Sequence, residues 1–182
     1  NNGNSTFKNT GTAGTLEFNG AALQTYNQGA SQLDLNNVVL LNSAGLGNGV
    51  TLATNMFVKA TTGTLTFTTG TITTTANRVE VDNTALASVS AGNATSFVDG
   101  NLRRYLLGSG SYNWPVGNVA KGYQLMNTNF ASNANTYIDA RFDVWPFAEP
   151  VQGGGVECNV TYSLEAMDNG YWTMTATPNG AA

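Results

Sequence analysis

Five times between residues 16 and 81 the chain repeats an apolar, polar, apolar triplet: Leu16-Glu17-Phe18, Leu33-Asp34-Leu35, Val50-Thr51-Leu52, Leu65-Thr66-Phe67 and Val79-Glu80-Val81. Successive triplets begin 17, 17, 15 and 14 residues apart. In a strand, alternate side chains point to opposite faces, so each triplet turns two side chains inward and one outward. Turn-forming residues follow soon after: Asn19-Gly20, Asn36-Asn37, Asn55, Gly70 and Asp82-Asn83. A second short strand is expected in each repeat, at Leu23 to Tyr26, Val38 to Leu41, Met56 to Val58, Thr71 to Thr73 and Leu86 to Val89. No single repeat can bury a core of its own, but stacked repeats share one interior. The pattern therefore predicts an all-β fold in which residues 1–98 wind into a right-handed parallel β-helix of about five rungs. The same alternation also supports a meander of antiparallel hairpins in a sandwich. Helices are not expected, because Thr, Val, Gly and Asn dominate and no 3.6-residue period is present.

After Asp99-Gly100 the repeat stops, and a second domain is placed at 99–182. Strands are expected at Leu102 to Leu107, Tyr112 to Val116, Tyr123 to Phe130, Tyr137 to Val144, Val156 to Leu164 and Tyr171 to Thr177. Pro146, Pro150 and Gly153-Gly154-Gly155 mark a long connection between them. Such spacing suggests an antiparallel β-sandwich, placed to cap the last rung. Ser5 to Lys8 offers no evident cap for the first rung, which a neighbouring segment or a second protomer would have to cover, and stacking into filaments becomes an expectation.

Composition narrows the partners. Only 10% of the 182 residues are charged, against roughly 25% in an average domain. Asn, Thr, Gly, Ala and Ser take the place of Lys and Glu, an extracellular style of surface. Net charge is -4, and the seven basic residues are scattered singly apart from Arg103-Arg104, so no stripe suits a nucleic acid or an anionic bilayer. No apolar run approaches the ~20 residues that span a membrane. The chain opens Asn1-Asn2-Gly3 without a signal sequence, and is read as a piece of something longer. One cysteine, Cys158, cannot form an internal disulfide.

Candidate chemistry is sparse. Without histidine there is no Ser-His-Asp or Cys-His triad and no His-ligated metal, and neither a P-loop nor GxGxxG is present. No catalytic residue, metal ligand or cofactor site is assigned. If the triplets stack, Glu17, Asp34, Thr51, Thr66 and Glu80 form one outward column with Glu17 and Asp34 about 5 Å apart, the spacing of a retaining glycosidase. The column runs on into threonine, so solvated acids are the reading preferred over a polysaccharide-cleaving site. Asp139 and Asp143, with Arg141 between them, project from one strand about 13 Å apart, a surface charge ladder rather than a catalytic pair. Calcium coordination by Asp139, Asp143 or Asp168 is the lesser alternative. The threonines from Thr61 to Thr75 could form the hydroxyl array of an ice-binding solenoid, but they also simply favour strand. Aromatic residues such as Tyr112, Trp114 and Phe147 are expected between sheets, while Trp145, Trp172 and Tyr171 are the candidates for glycan stacking.

Residues Ser96-Phe97-Val98-Asp99-Gly100-Asn101-Leu102-Arg103-Arg104, then Tyr112-Asn113-Trp114-Pro115-Val116-Gly117 and Tyr123-Gln124-Leu125, resemble the "SFVxGxLxR … YxFPVG … YxPL" pattern of large secreted surface proteins of the Bacteroidota. In those proteins the pattern often follows Thr- and Asn-rich repeats, as it follows Gly63 to Gly70 here. Trp114 stands where Phe is usual, and no Pro follows Tyr123. The resemblance implies type IX secretion, a location on or around the cell surface, and a structural or adhesive role. Neighbouring segments, other protomers and surface glycans are the partners it implies.

Overall fold

The structure is a computed structural model, and it describes residues 5–8, 14–59, 61–131, 135–144 and 170–178. Every regular element among them is a strand apart from one short 3-10 turn, Leu86–Ser88, which stands where a strand was expected.

The chain winds into about four turns of a β-solenoid with three strands to the turn. The first turn holds β2 (Thr15–Phe18), β3 (Gln24–Tyr26) and β4 (Asp34–Leu35), preceded by β1 (Ser5–Lys8). The second holds β5 (Asn37–Leu41), β6 (Val50–Leu52) and β7 (Met56–Val58). A single strand, β8 (Thr64–Val81), makes the whole third turn. Val89 bridges to Leu65, and β9 (Ser96–Tyr105) then completes the fourth.

Parallel pairing stacks these strands into three faces. On the first, Leu16, Val38, Leu65 and Val89 lie in register. On the second it is Val50, Ile72, Val98 and Val116, and on the third Met56, Val79, Leu102 and Ala140. Each column is buried, so one apolar interior runs the length of the stack. Four of the five triplets are strands with the expected inward pair; of Leu33-Asp34-Leu35 only Asp34–Leu35 is strand and Leu33 is exposed, and the triplet spacing is not the repeat. Leu16 and Leu65 occupy the first face, Val50 the second, and Leu35 and Val79 the third. Equivalent third-face positions Asp34, Phe57, Glu80 and Arg103 are 23 residues apart.

Asparagine holds the corners. The Oδ1 of Asn42, Asn83 and Asn93 each accepts a backbone N–H two residues on, from Ala44, Ala85 and Thr95. Such a side-chain turn re-creates a backbone turn and leaves the amide free. Each Nδ2 then donates to a carbonyl of the preceding turn: Asn42 to Ala22 at 2.9 Å, Asn83 to Gly63 at 2.8 Å, Asn93 to Thr68 at 3.1 Å. These three asparagines are thus inter-turn staples. Gly100 serves the close packing of turns: its φ is +124°, and a Cβ there would meet Thr74 Oγ1 at 2.1 Å.

At its N-terminal end, Ser5–Lys8 runs antiparallel along β2, so the segment expected to lack a cap itself covers one of the three faces. At the other end, β9 continues through residue 99 and is shared by two hairpins. One is β10 (Gly110–Asn118) with β11 (Gly122–Phe130), where β10 continues the second face by pairing parallel to β9 at Val116 and Gly117. The other is β12 (Asn135–Val144) with β13 (Gly170–Pro178), where β12 lies antiparallel to β9 on the third face. A β-sandwich is not seen among the described residues, and the strand expected at Val156 to Leu164 lies outside them. Tyr112 and Trp114 of β10 are fully buried at the last turn, with their rings 5.2 and 5.8 Å from the Arg104 guanidinium.

Candidate functional site

Third-face strands carry an unusual share of the charge. Along their outward positions, Phe57, Glu80, Arg103, Asp139 and Thr175 lie in register from β7 through β13. A neighbouring column reads Arg78, Asn101, and then, one step from the Leu102–Ala140 pair, Arg141 opposite Thr173. Four of the seven basic residues, Lys59, Arg78, Arg103 and Arg141, meet Glu80, Asp82, Asp139 and Asp143 here.

Glu80 is the hub. Its side chain is 3% exposed, with Lys59 Nζ 2.6 Å from Oε1 and Arg78 Nη2 2.7 Å from Oε2. Burial alone would raise the Glu80 carboxyl, but the bonds from Lys59 and Arg78 outweigh it and hold the pKa below its usual value. Burial alone would lower the Lys59 ammonium, but its bonds to Glu80 and Asp82 outweigh it and raise the pKa. Asp82, with burial dominant and the Glu80 and Asp34 charges adding to it, is raised. Arg103 grips Asp139 through both Nε and Nη2 at 2.7 Å and lies 3.8 Å from the Tyr137 ring, which keeps it firmly protonated.

Arg104, next in sequence, is the opposite case. Its side chain points inward in the column of Leu35, Val58, Val81 and Ile138, fully buried. No carboxylate faces it among the described residues. Carbonyls of Ala85, Leu86 and Asn113 and the Ser88 hydroxyl accept its Nη hydrogens, and Nε is unpartnered. Burial pushes its pKa down to about 10.

Where the stack meets the β12–β13 hairpin, the third face opens into a groove of about 300 Å³. Arg78, Arg103 and Arg141 line it with Asn101, Thr173 and Thr175, and Asp139 is the sole carboxylate in its wall among the described residues. Asn101 donates to the Asn77 carbonyl at 3.2 Å, and Asn77 to the Leu52 carbonyl at 2.8 Å, a side-chain ladder along the corner.

The expected glycan contacts do not share one surface. Tyr171 is 37% exposed and, by its register with Asp143, on the charged face of β13. Trp172 points the other way, edge-on to Phe142 at 5.5 Å, half-buried against the core. Trp145, like Phe147, Cys158 and Asp168, lies outside the described residues. The proposed Glu17–Asp34 column is corrected: Glu17 pairs with Val39 on the first face and Asp34 with Phe57 on the third, because consecutive triplets sit on different faces. Asp139 and Asp143 do share a face, with Arg141 Nε bonded to Asp143 at 2.7 Å. The threonines of β8 are divided among faces, and Thr71 and Thr74 are fully buried, accepting from Gly47 and Asn101 N–H. Among the described residues no group of three or more acidic or thiol side chains is placed to hold a metal. No helix of the described residues is long and apolar enough to cross a membrane.

Comparison with family models, with curated proteins and with solved structures gives no match for this chain.

Proposed function

We propose that the chain is a non-catalytic segment of an extracellular structural or adhesive surface protein. One observation carries this reading: its buried polar side chains tie turn to turn. Asn42, Asn83 and Asn93 staple the corners, Glu80 gathers cations from its own and adjacent turns, and Thr71 and Thr74 bond across turns. Polar groups so engaged favour a rigid rod over chemistry that must move protons. In this reading the winding is right-handed, the usual sense for parallel crossovers, and the C-terminal hairpins belong to a sandwich-like cap. At the first turn, β3 and β4 pair only with the second turn among the described residues. Open strand edges of that kind invite another strand, so a further segment or protomer stacking there is part of the proposal, as is type IX export.

Antibody labelling of intact producing cells, with electron microscopy of the released protein, tests the reading. Surface label and end-to-end arrays are expected; a protein confined to the cell interior overturns it.

A further inference from the structure

The groove at the junction of stack and hairpin is rich in guanidinium donors, each of them paired on one side with Glu80, Asp139 or Asp143. Three guanidiniums line it, and Asp139 is the one carboxylate among the described residues of its wall. They are not equally engaged. Arg103 is locked in its two-point grip on Asp139 with a side chain only 16% exposed. Arg141 is 45% exposed and meets Asp143 through Nε, so neither terminal nitrogen faces a carboxylate among the described residues. Arg78 meets Glu80 through Nε and Nη2, leaving Nη1 in the same condition. Arg78 and Arg141 lie in one column with Asn101 between them, two strand spacings or about 10 Å apart. They flank the groove as two planar donors held at fixed separation by the sheet, their inner edges anchored on protein carboxylates and their outer edges open.

A guanidinium edge matches a planar carboxylate by paired hydrogen bonds. The remaining lining is amide and hydroxyl, from Asn101, Thr173 and Thr175, which suits a polyhydroxylated ligand rather than an apolar one. The volume is at the foot of the roughly 300–1,000 Å³ range of small-molecule sites, room for a single sugar unit. Tyr171 lies on the same face of β13 as Thr173 and Thr175, two residues from Thr173, and is not part of the groove's lining.

We infer that this groove binds one uronic acid unit of an acidic polysaccharide, its carboxylate held by Arg141 and Arg78 and its hydroxyls by Asn101, Thr173 and Thr175. The Arg103–Asp139 pair forms the fixed floor. Binding leaves the fold as it is, because the donors are already aligned by the strands that carry them.

The test is calorimetric titration of the whole chain with tri-galacturonate, with neutral galactotriose, and with a sulfated galactose trisaccharide. Saturable binding of tri-galacturonate alone is expected, weakened by added salt. Arg141→Gln and Arg78→Gln should each lower affinity about tenfold or more. Thermal unfolding of both variants separates loss of ligand from loss of fold; should Arg78→Gln unfold, the more exposed Arg141→Gln carries the test. The inference is overturned by no binding, by equal binding of the neutral sugar, by preference for the sulfated one, or by a folded Arg141→Gln protein that binds as well as the parent. A soluble titration reads the groove alone and is indifferent to whether the chain sits on a cell.

Discussion

The Lys59 ammonium and the Glu80 carboxylate, 21 residues apart in sequence, meet at 2.6 Å across two turns of the stack. Lys59 Nζ also lies 3.1 Å from Asp82 and 5.2 Å from the centre of the Phe57 ring, so its stem and charge close over the third face. Removing Glu80 would strand Lys59 and Arg78 beside a buried site. Glu80→Ala is expected to cost about 2–4 kcal/mol, read as a lower urea midpoint at unchanged slope.

The same carboxylate sets a pH dependence. Because the folded pKa of Glu80 is depressed, its stabilisation is full above its unfolded value and is lost as pH falls through the lower folded one. Asp82 and Asp99, raised chiefly by burial, act with the opposite sign, but both are retained in Glu80→Gln. The stability gap between parent and Glu80→Gln should be widest at neutral pH and shrink below about pH 4, measured by urea unfolding at stepped pH. A gap that grows on acidification contradicts the account.

Corner staples should be unequal. Asn42 is fully buried and its Nδ2 reaches Ala22 O, Gln24 Oε1 and Gly49 O, whereas Asn118 closes only its own exposed turn. Asn42→Ala is expected to lose about 2–3 kcal/mol and Asn118→Ala less than about 1. Equal losses in chemical denaturation would show that the cross-turn bonds contribute little.

Two glycines with positive φ separate strain from contact. At Gly108 (φ +78°) nothing lies within 4 Å of an added Cβ, so Gly108→Ala should cost only about 1 kcal/mol of backbone strain. Gly100→Ala adds a clash with Thr74 and should fail to fold or melt far lower.

Arg104 tests a buried cation. Arg104→Met keeps most of the volume and removes the desolvated charge, and is expected to be neutral or stabilising in thermal melts. Arg104→Ala leaves a cavity beneath Tyr112 and Trp114 and should cost about 3–5 kcal/mol.

Much of this architecture was legible in the chain. Four of the five triplets from Leu16 to Val81 lie on strand with the inward pair turned to the core, Leu33 being exposed before its two-residue strand, and the hairpin strands fall within a few residues of expectation. The turn length was not legible. Inward residues of all three faces enter one interior, so Leu16, Leu35 and Val50 look alike although they belong to different faces. Strands on the third face are expected at Leu33 to Leu35 and Met56 to Val58, but nothing in the sequence distinguishes a triplet that starts a turn from one that ends it. The groove was illegible for a related reason: Arg78, Arg103 and Arg141 converge only through a pairing between β9 and β12 that brings residues 36 apart together. Arg104, beside an outward arginine, gives itself away only by alternation, which places it inward with Leu102 and Leu106.

Strand β8 runs unbroken for 18 residues and borders β5, β6, β7 and β9 on all three faces. Most stacked repeats can shed an end unit and keep the rest. Here the third turn acts as a hoop: loosening it on one face unseats the turns above and below on the other two. Protection against hydrogen exchange should therefore peak at mid-stack, and melting should be a single cooperative event, not a peeling from either end.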